Sequence, residues 1–345
     1  MKRIALLGAT GSIGRQAIEV IDAHPELDLV AATSGSTPID GLAPLTQVGG
    51  DPTALLERAE PDVVLNAVVG FAGLVPTMWA LERGVTLALA NKESLVAAGD
   101  LALAAHARGG GELIPVDSEH SALFQCARLG EPESLVLTAS GGPFRGRTSD
   151  DLADVTPDEA LAHPTWTMGP KVTIDSATLA NKGLEVIEAH FLFGVPYDRI
   201  EVLIHPPSIV HGLVRYRDGA AIAHLGHPDM RVPISYALTY PDRAPTPVPA
   251  LDLTARPLEF HEADLDTFPM LALAWEAGER GGTYPCAYNA ANEVAVQQFL
   301  DGRIGFLEIA PLVQEVLDRV DGSPARDPAE LVEADRRARD LVAVA

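Results

Sequence analysis

An apolar run, residues 2–7, feeds directly into Gly8-Ala-Thr-Gly11-Ser-Ile-Gly14, and behind it Ile13, Ala17, Ile18 and Ile21 recur at helical spacing. A strand that turns through three glycines into a helix opens a parallel α/β sheet. The glycines allow the tight turn, the approach of backbone to a pyrophosphate and close packing of helix on strand. The spacing is GxxGxxG, not the commoner GxGxxG. It is the order strand, glycines, helix that favours dinucleotide binding over a plain turn. The second strand, 29–32, runs out into Thr33-Ser34-Gly35-Ser36-Thr37, with no acid to hold the ribose hydroxyls of NAD. That leans towards NADP. Because no Arg or Lys stands there either, only Ser34, Ser36 and Thr37 offer donors to a 2′-phosphate.

From residue 61 the alternation continues: strand 63–68, helix 74–83, strand 86–90, helix 95–108 and strand 113–116. Gly70, Asn91-Lys92-Glu93 and Asp117-Ser118-Glu119 therefore fall at the carboxyl edge of the sheet, where open parallel sheets bind ligands. In Ile114-Pro-Val-Asp117-Ser118-Glu119-His120-Ser-Ala122 a short strand delivers two carboxylates with a hydroxyl between them. Such oxygens suit Mg²⁺ or Mn²⁺, with the missing ligands coming from water, substrate or another carboxylate. A helix start, with Ser118 as cap and the acids favoured by the dipole, explains the same residues without a metal. A further strand, 135–139, ends in Ser140-Gly-Gly-Pro143, which is either an anion nest or a domain hinge.

Residues 150–161 read as a short helical connection, and His163-Pro-Thr-Trp166-Thr-Met-Gly169-Pro170 has the composition of a lid around an indole. A strand at 171–174 is expected to lead into a helix capped by Asp175 or Ser176. On that helix Asn181, Lys182 and Glu185 share one face, either as a site or as an exposed ion pair worth only about 0.3 kcal/mol. Residues 202–204, 205–208 and the alternation around Asp218-Gly219 suggest a second, mixed or antiparallel sheet. His205, His211, His224 and His227 lack a zinc spacing and are expected to pack or hydrogen-bond. Five prolines in 241–257 mark a linker, and 267–300, 309–320 and the C-terminal residues are helical in pattern.

Composition restricts the partners. At 345 residues and 47% hydrophobic the chain is long enough for two or three domains, and a net charge of −23 argues against nucleic-acid binding. There is no apolar run of about 20 residues, so no membrane span is expected and the cytoplasm is the expected location. The two cysteines, Cys126 and Cys286, form no CxxC and fit a reducing compartment. Of 25 basic residues only positions 2, 92, 171 and 182 are Lys, and Lys92 and Lys182 each follow an Asn. These are compact point charges in a chain that otherwise uses Arg.

Seven stretches in order, GATGSIG at 8–14, LANKESLV at 89–96, PVDSEHSA at 115–122, SGGPF at 140–144, HPTWTMG at 163–169, DSATLANKGLE at 175–185 and YNAANE at 288–293, resemble one family. The chain resembles the 1-deoxy-D-xylulose 5-phosphate reductoisomerases over nearly its whole length. The resemblance implies an α/β fold in three parts: an N-terminal Rossmann-like parallel-sheet domain binding NADPH (1–140), a central α+β catalytic and dimerisation domain (141–240), and, after a linker (241–262), a C-terminal helical domain (263–345). It implies conversion of a sugar phosphate, 1-deoxy-D-xylulose 5-phosphate, to 2-C-methyl-D-erythritol 4-phosphate in isoprenoid synthesis, with Mn²⁺, Mg²⁺ or Co²⁺ and a homodimer. By motif, metal ligands fall on Asp117, Glu119 and Glu185. Substrate contacts fall on Lys92, Ser118, Glu119, Ser140, His163, Ser176, Asn181, Lys182 and Glu185, with Lys92, Glu119, His163 and Glu185 catalytic. NADPH contacts fall on Thr10, Gly11, Ser12, Ile13, Gly35, Ser36, Thr37, Asn91, Glu93 and Gly169.

The chain departs from the family pattern twice. Family members usually carry a basic residue and an Asn after the glycine that ends the second strand, where this chain has Ser36 and Thr37. Segment 38–60 is also shorter than theirs, too short on this expectation for the usual extra helix and strand beside the adenosine. The residues alone support a metal-assisted NAD(P) enzyme on a small hydroxylated or phosphorylated substrate. They also leave open a non-catalytic dinucleotide-binding protein and a metal-dependent sugar-phosphate isomerase or aldolase that no longer uses its nucleotide domain.

Overall fold

A computed structural model describes residues 1–255 and 257–344. Arg256, inside the expected linker, and Ala345, the last residue of the expected helical domain, lie outside the described residues. In chain order the elements begin β1 (Lys2–Leu7), α1 (Ser12–Ala23), β2 (Leu27–Ser34), β3 (Leu45–Val48), α2 (Thr53–Ala59), β4 (Val63–Asn66), α3 (Leu74–Arg83), β5 (Thr86–Leu89), α4 (Lys92–Gly109), β6 (Leu113–Pro115) and α5 (Ser118–Cys126). They continue with β7 (Ser134–Ala139), α6 (Ser149–Leu152), α7 (Pro157–Leu161), α8 (Pro170–Thr178), α9 (Ala180–Phe193), β8 (Ile200–Ile204), β9 (Val210–Arg215), β10 (Ala221–Leu225) and α10 (Arg231–Thr239). The last are β11 (His261–Glu262), α11 (Met270–Arg280), α12 (Tyr284–Leu300), α13 (Ile309–Arg319) and α14 (Pro328–Val344).

The chain divides into two compact units. The first comprises Met1–Ser94, Ala102–Gln125 and Asp229–Asp252; the second holds Leu95–Leu101, Cys126–Pro228 and the residues from Leu253 on. This differs from the linear division expected at 140 and 240. The late segment 229–252 belongs with the N-terminal sheet because α10 completes its core: Ile234, Ala237 and Leu238 cluster with Ile4, Leu6, Ala17 and Ile21. Each of the isoleucine and leucine side chains contributes about 1.5–3 kcal/mol on burial. Lys2 Nζ donates to the carbonyls of Leu238 and Tyr240 at 2.9 and 3.1 Å, satisfying groups that the end of α10 leaves open.

In the first unit six parallel strands lie in the order β3-β2-β1-β4-β5-β6. A parallel sheet needs cover on both faces, and Ile4 to Leu7 of β1 have no exposed surface. Strand order reverses between β1 and β4, which opens the crevice where such sheets bind ligands. Segment 38–60, short as it is, holds one strand, β3, paired with β2, and one helix, α2. Four residues of strand and seven of helix suffice for one compact crossover.

The second unit carries a five-stranded mixed sheet, β10-β9-β7-β8-β11. Strand β7, read from sequence as a continuation of the first sheet, is instead its centre, parallel to β8 and antiparallel to β9. An apolar run names a buried strand but not the sheet it joins. Residues 205–208 form a turn, with Ser208 at φ +51°, rather than a strand. Residues 171–174, β-branched from Val172 on and expected as a strand, are helical in α8: Pro170 occupies the first turn, and Ile174 and Ala177 are fully buried. Tertiary packing overrides the weak β preference of Val172, Thr173 and Ile174. The helix cap lies at Gly169 rather than at Asp175 or Ser176. The pattern at 267–300 resolves into α11 and α12, broken at Gly281-Gly282, and the expected linker supplies β11, which pairs with β8.

Candidate active site

In the first unit the glycine turn is fixed by close backbone approach. Gly8 has φ +85° and a Cβ there would lie 2.6 Å from the carbonyl oxygen of Ala67, at the neighbouring strand's end; one on Gly14 would lie 2.2 Å from the oxygen of Gly8. Helix α1 starts at Gly11 with no side-chain cap, so its first N–H groups remain available to an anion. Thr10, Ser12 and Ile13 are half-buried there, while Gly11 is exposed. At the end of β2, Ser34 is buried and its hydroxyl donates to the carbonyl of Thr37. Ser34 is therefore spent, which leaves the exposed Gly35, Ser36 and Thr37 of the expected ribose contacts.

Asn91 is also committed. It caps α4 by accepting from Ser94 N at 3.0 Å, and its Nδ2 donates to the carbonyls of Val68 (2.7 Å) and Gly70 (2.8 Å) and to Glu93 (3.0 Å). It and the buried Glu93 act through the shape of the loop after β4. At the end of β6, Asp117 rather than Ser118 takes the capping role: its Oδ1 accepts from Glu119 N at 3.3 Å. The ammonium of Lys92 lies 2.6 Å from Asp117 Oδ2, and His120 Nδ1 is 3.3 Å from Oδ1. Ser118 Oγ donates to Glu119. One strand end and the start of α4 thus gather two carboxylates, a hydroxyl and a cation.

In the second unit, β7 delivers Ser140 to a glycine nest. Its Oγ lies 3.0 Å from His163 Nε2 and accepts from Gly142 N at 3.1 Å. His163 Nδ1 accepts from the backbone N–H of Thr165 (3.1 Å) and of Trp166 (3.0 Å). A ring whose Nδ1 accepts twice carries its proton on Nε2 when neutral, and burial holds its pKa below the usual value. With Nε2–H and Gly142 N–H both arriving at Ser140 Oγ, the serine's own proton is left to serve an incoming oxygen. Trp166 stands beside His211, ring centroids 6.2 Å apart.

Helices α8 and α9 supply the remainder. Ser176 is half-buried near the end of α8. On α9, Asn181 Nδ2 and Lys182 Nζ both donate to the Glu185 carboxylate. The exposed-pair alternative does not hold: Lys182 is 3% and Glu185 1% exposed. Sequence reading missed the pair Lys171–Asp175, 2.6 Å apart at i, i+4 on α8, because a strand at 171–174 would have put those residues out of reach of each other.

Nucleotide-type fold, acidic strand end and buried Lys–Glu helix together define an NAD(P)-dependent enzyme acting on an anionic small molecule. Family profiles carry the assignment further. The profile for 1-deoxy-D-xylulose 5-phosphate reductoisomerase matches residues 4–49 and 49–99, that for its C-terminal domain matches 113–193, and one for the DXP reductoisomerase C-terminal domain matches 225–341. The chain belongs to the 1-deoxy-D-xylulose 5-phosphate reductoisomerase family. The protein of that name from Leifsonia xyli subsp. xyli is 51% identical over 352 residues, covering 98% of this chain and 97% of the relative. That of Thermomicrobium roseum is 49% identical over 371, covering 98% and 96%. The Zymomonas mobilis enzyme in complex with NADPH superposes with a TM-score of 0.90 at 38% identity, covering 99% of this chain and 98% of the other. A DOX-P reductoisomerase in complex with NADPH, fosmidomycin and magnesium gives 0.89 at 35%, covering 100% and 98%.

Proposed function

We propose that the chain converts 1-deoxy-D-xylulose 5-phosphate to 2-C-methyl-D-erythritol 4-phosphate, by skeletal rearrangement and then reduction, using NADPH and a divalent cation. The observation that carries this reading is the family match along both units, including the nucleotide-binding residues 4–99. A sugar-phosphate isomerase without nucleotide, or a non-catalytic dinucleotide binder, would leave one of the two built sites without a use.

Asp117, Glu119 and Glu185 are the proposed metal ligands. The donor chemistry fits: all are carboxylates, Glu185 is buried among amide and ammonium donors, and Asp117 already holds a cation, Lys92, in contact. When bound, a divalent ion supplies a Lewis acid to adjacent sugar oxygens and NADPH supplies the hydride. Mg²⁺, Mn²⁺ and Co²⁺ all suit oxygen donors of this kind. The chain's own side chains do the holding. Lys182, Asn181, Ser176 and the free proton of Ser140 bind the phosphate, and His163 orients Ser140 from the lid. Lys92 balances Asp117, and Ser118 fixes the orientation of Glu119. The uncapped start of α1 receives the pyrophosphate of the cofactor through Thr10, Gly11, Ser12 and Ile13, Ser36 and Thr37 face its ribose phosphate, and Gly169, at the start of α8, is a further NADPH contact. Loss of NADPH absorbance with deoxyxylulose phosphate and Mn²⁺ tests the assignment; oxidation that requires neither sugar phosphate nor metal would refute it.

The family also suggests a homodimer. Strand β10 is an edge of the mixed sheet, with Ile222 and Leu225 each 36% exposed, and a second copy could extend it. Light scattering at micromolar concentration decides, and a monomer there overturns it. No helix among the described residues is long and apolar enough to cross a membrane; two buried free cysteines fit the cytoplasm as the place of action.

A further inference from the structure

The motif YNAANE at 288–293 has no part in the chemistry above, yet its tyrosine and two asparagines are among the most deeply buried polar groups of the second unit. Tyr288 and Asn292 are both 0% exposed, and at i, i+4 they share one face of α12. Each meets a different phosphate-binding helix. Tyr288 donates its hydroxyl to the carbonyl of Met270 at 3.0 Å, and its oxygen lies 2.8 Å from where a Cβ on Gly183 would stand. Only a residue without a side chain lets α9 settle so closely on the phenol, and that residue is the immediate neighbour of Lys182. Asn292 Nδ2 donates at 2.8 Å to Oδ1 of Asp175, the immediate neighbour of Ser176 on α8. Asp175 is itself 1% exposed, and its other oxygen receives the ammonium of Lys171. Helix α8 is also met by the glycine nest: a Cβ on Gly142 would lie 2.6 Å from the carbonyl oxygen of Ser176.

We propose that Tyr288 and Asn292 of α12 are positioning residues for the phosphate end of the substrate, one seating α9 through Gly183 and the other seating α8 through Asp175. This rests on the phosphate assignment made above and deepens it. An apolar pair could fill the same space, but only a directional bond to a buried carboxylate fixes how far α8 rotates, and with it where the Ser176 hydroxyl points. A buried carboxylate is costly unless it is well held, so the Lys171–Asp175–Asn292 chain is stiff once formed.

The test uses the full chain with Mn²⁺ and NADPH. Asn292→Leu keeps the volume and removes the donor. It is expected to raise the KM for deoxyxylulose phosphate and the inhibition constant of inorganic phosphate together, by about tenfold, since a bond to a charged group is lost. It should leave kcat within about threefold and the NADPH dissociation constant unchanged. The exchange Asp175→Asn with Asn292→Asp rebuilds the bond in reverse and should recover most of both constants. Should the leucine variant not fold, Asn292→Ser carries the same expectation. Unchanged KM and phosphate inhibition would overturn the proposal, as would an equal loss of NADPH affinity or no recovery in the exchange. If the wild type fails to turn over the sugar phosphate, the activity assignment fails separately, and calorimetry of inorganic phosphate with the same variants still decides the positioning role.

Discussion

The two units build their sites by opposite means. In the first, the nucleotide-binding turn rests on the shape of the backbone: Gly8 and Gly14 tolerate no Cβ, the helix start at Gly11 is left uncapped, and Asn91 holds the loop after β4 by its carbonyls. In the second, charged and polar side chains are buried on helices and held by one another, as in Lys182–Glu185, Lys171–Asp175 and Asp175–Asn292. A backbone site fails by steric displacement, whereas a buried-charge site fails when a charge is changed. The difference predicts which variants injure which ligand.

The largest effect is expected from Glu185→Gln. The amide keeps the shape but removes the negative charge that a metal and Lys182 both need, so turnover should fall by at least about a hundredfold while NADPH binding and circular dichroism stay as they were. Activity near wild type with micromolar metal would contradict the three-carboxylate site. Gly14→Ala is the counterpart. Its methyl would lie 2.2 Å from a backbone oxygen that has no side-chain freedom to yield, so the turn must move, at about 3 kcal/mol in stability. NADPH fluorescence titration should show the affinity collapse while inorganic phosphate still binds. Equal loss of both ligands would erase the contrast between the units.

The same contrast explains what the sequence discloses. Most strands and turns of the first unit are local patterns, though β3 and α2 are not, so GATGSIG, Asn91-Lys92-Glu93 and Asp117-Ser118-Glu119 can be placed at strand ends without tertiary information. Nothing local says that α10, more than two hundred residues after β1, closes that core, nor that β7 crosses into the other sheet. In the second unit the helical face of Asn181, Lys182 and Glu185 is legible from spacing, but its burial is not. The β-branched run 172–174 hides α8, and with it the reach of Asp175 to Asn292. Ser34 shows the reverse limit: its residue type suits a phosphate donor, yet a bond to the Thr37 carbonyl consumes it.

Acid should separate the units next. His211 is 5% exposed, and burial first, then the charge of Lys182 and of His205, pushes its pKa down to about 4; the Gly226 and His227 backbone only partly opposes this. A depressed native pKa means that the unfolded chain binds the proton first. The stabilising contribution is therefore complete above the ordinary value of 6.5 and is lost as pH falls towards 4. Near pH 5 the loss should be about 2 kcal/mol. Hydrogen exchange should show protection in β8 to β10 falling before that in β1, and His211→Gln should flatten this acid limb. Simultaneous loss in both sheets would place the acid-sensitive group elsewhere.

The smallest effect concerns the cofactor's ribose phosphate. A 2′-phosphate carries about two negative charges and is normally met by Arg or Lys, whereas the end of β2 offers only the exposed hydroxyls of Ser36 and Thr37 once Ser34 is spent. Neutral hydrogen bonds contribute about 1 kcal/mol each, roughly half of charge-assisted ones. NADPH should therefore be preferred, because no acid stands there to hold NADH, but by a smaller margin than a basic residue would give. The site has room for one, since Ser36 is exposed. Ser36→Arg should lower the KM for NADPH about fivefold, an exposed charged pair being worth roughly 1 kcal/mol, and leave NADH nearly unchanged. Because that gain is electrostatic and exposed, it should shrink as salt is raised from about 0.01 to 0.15 M. Weaker NADPH binding in Ser36→Arg, or a wild type that prefers NADH, would move the adenosine ribose away from Ser36. The cofactor end of the first unit would then depend on groups other than the turn that ends β2.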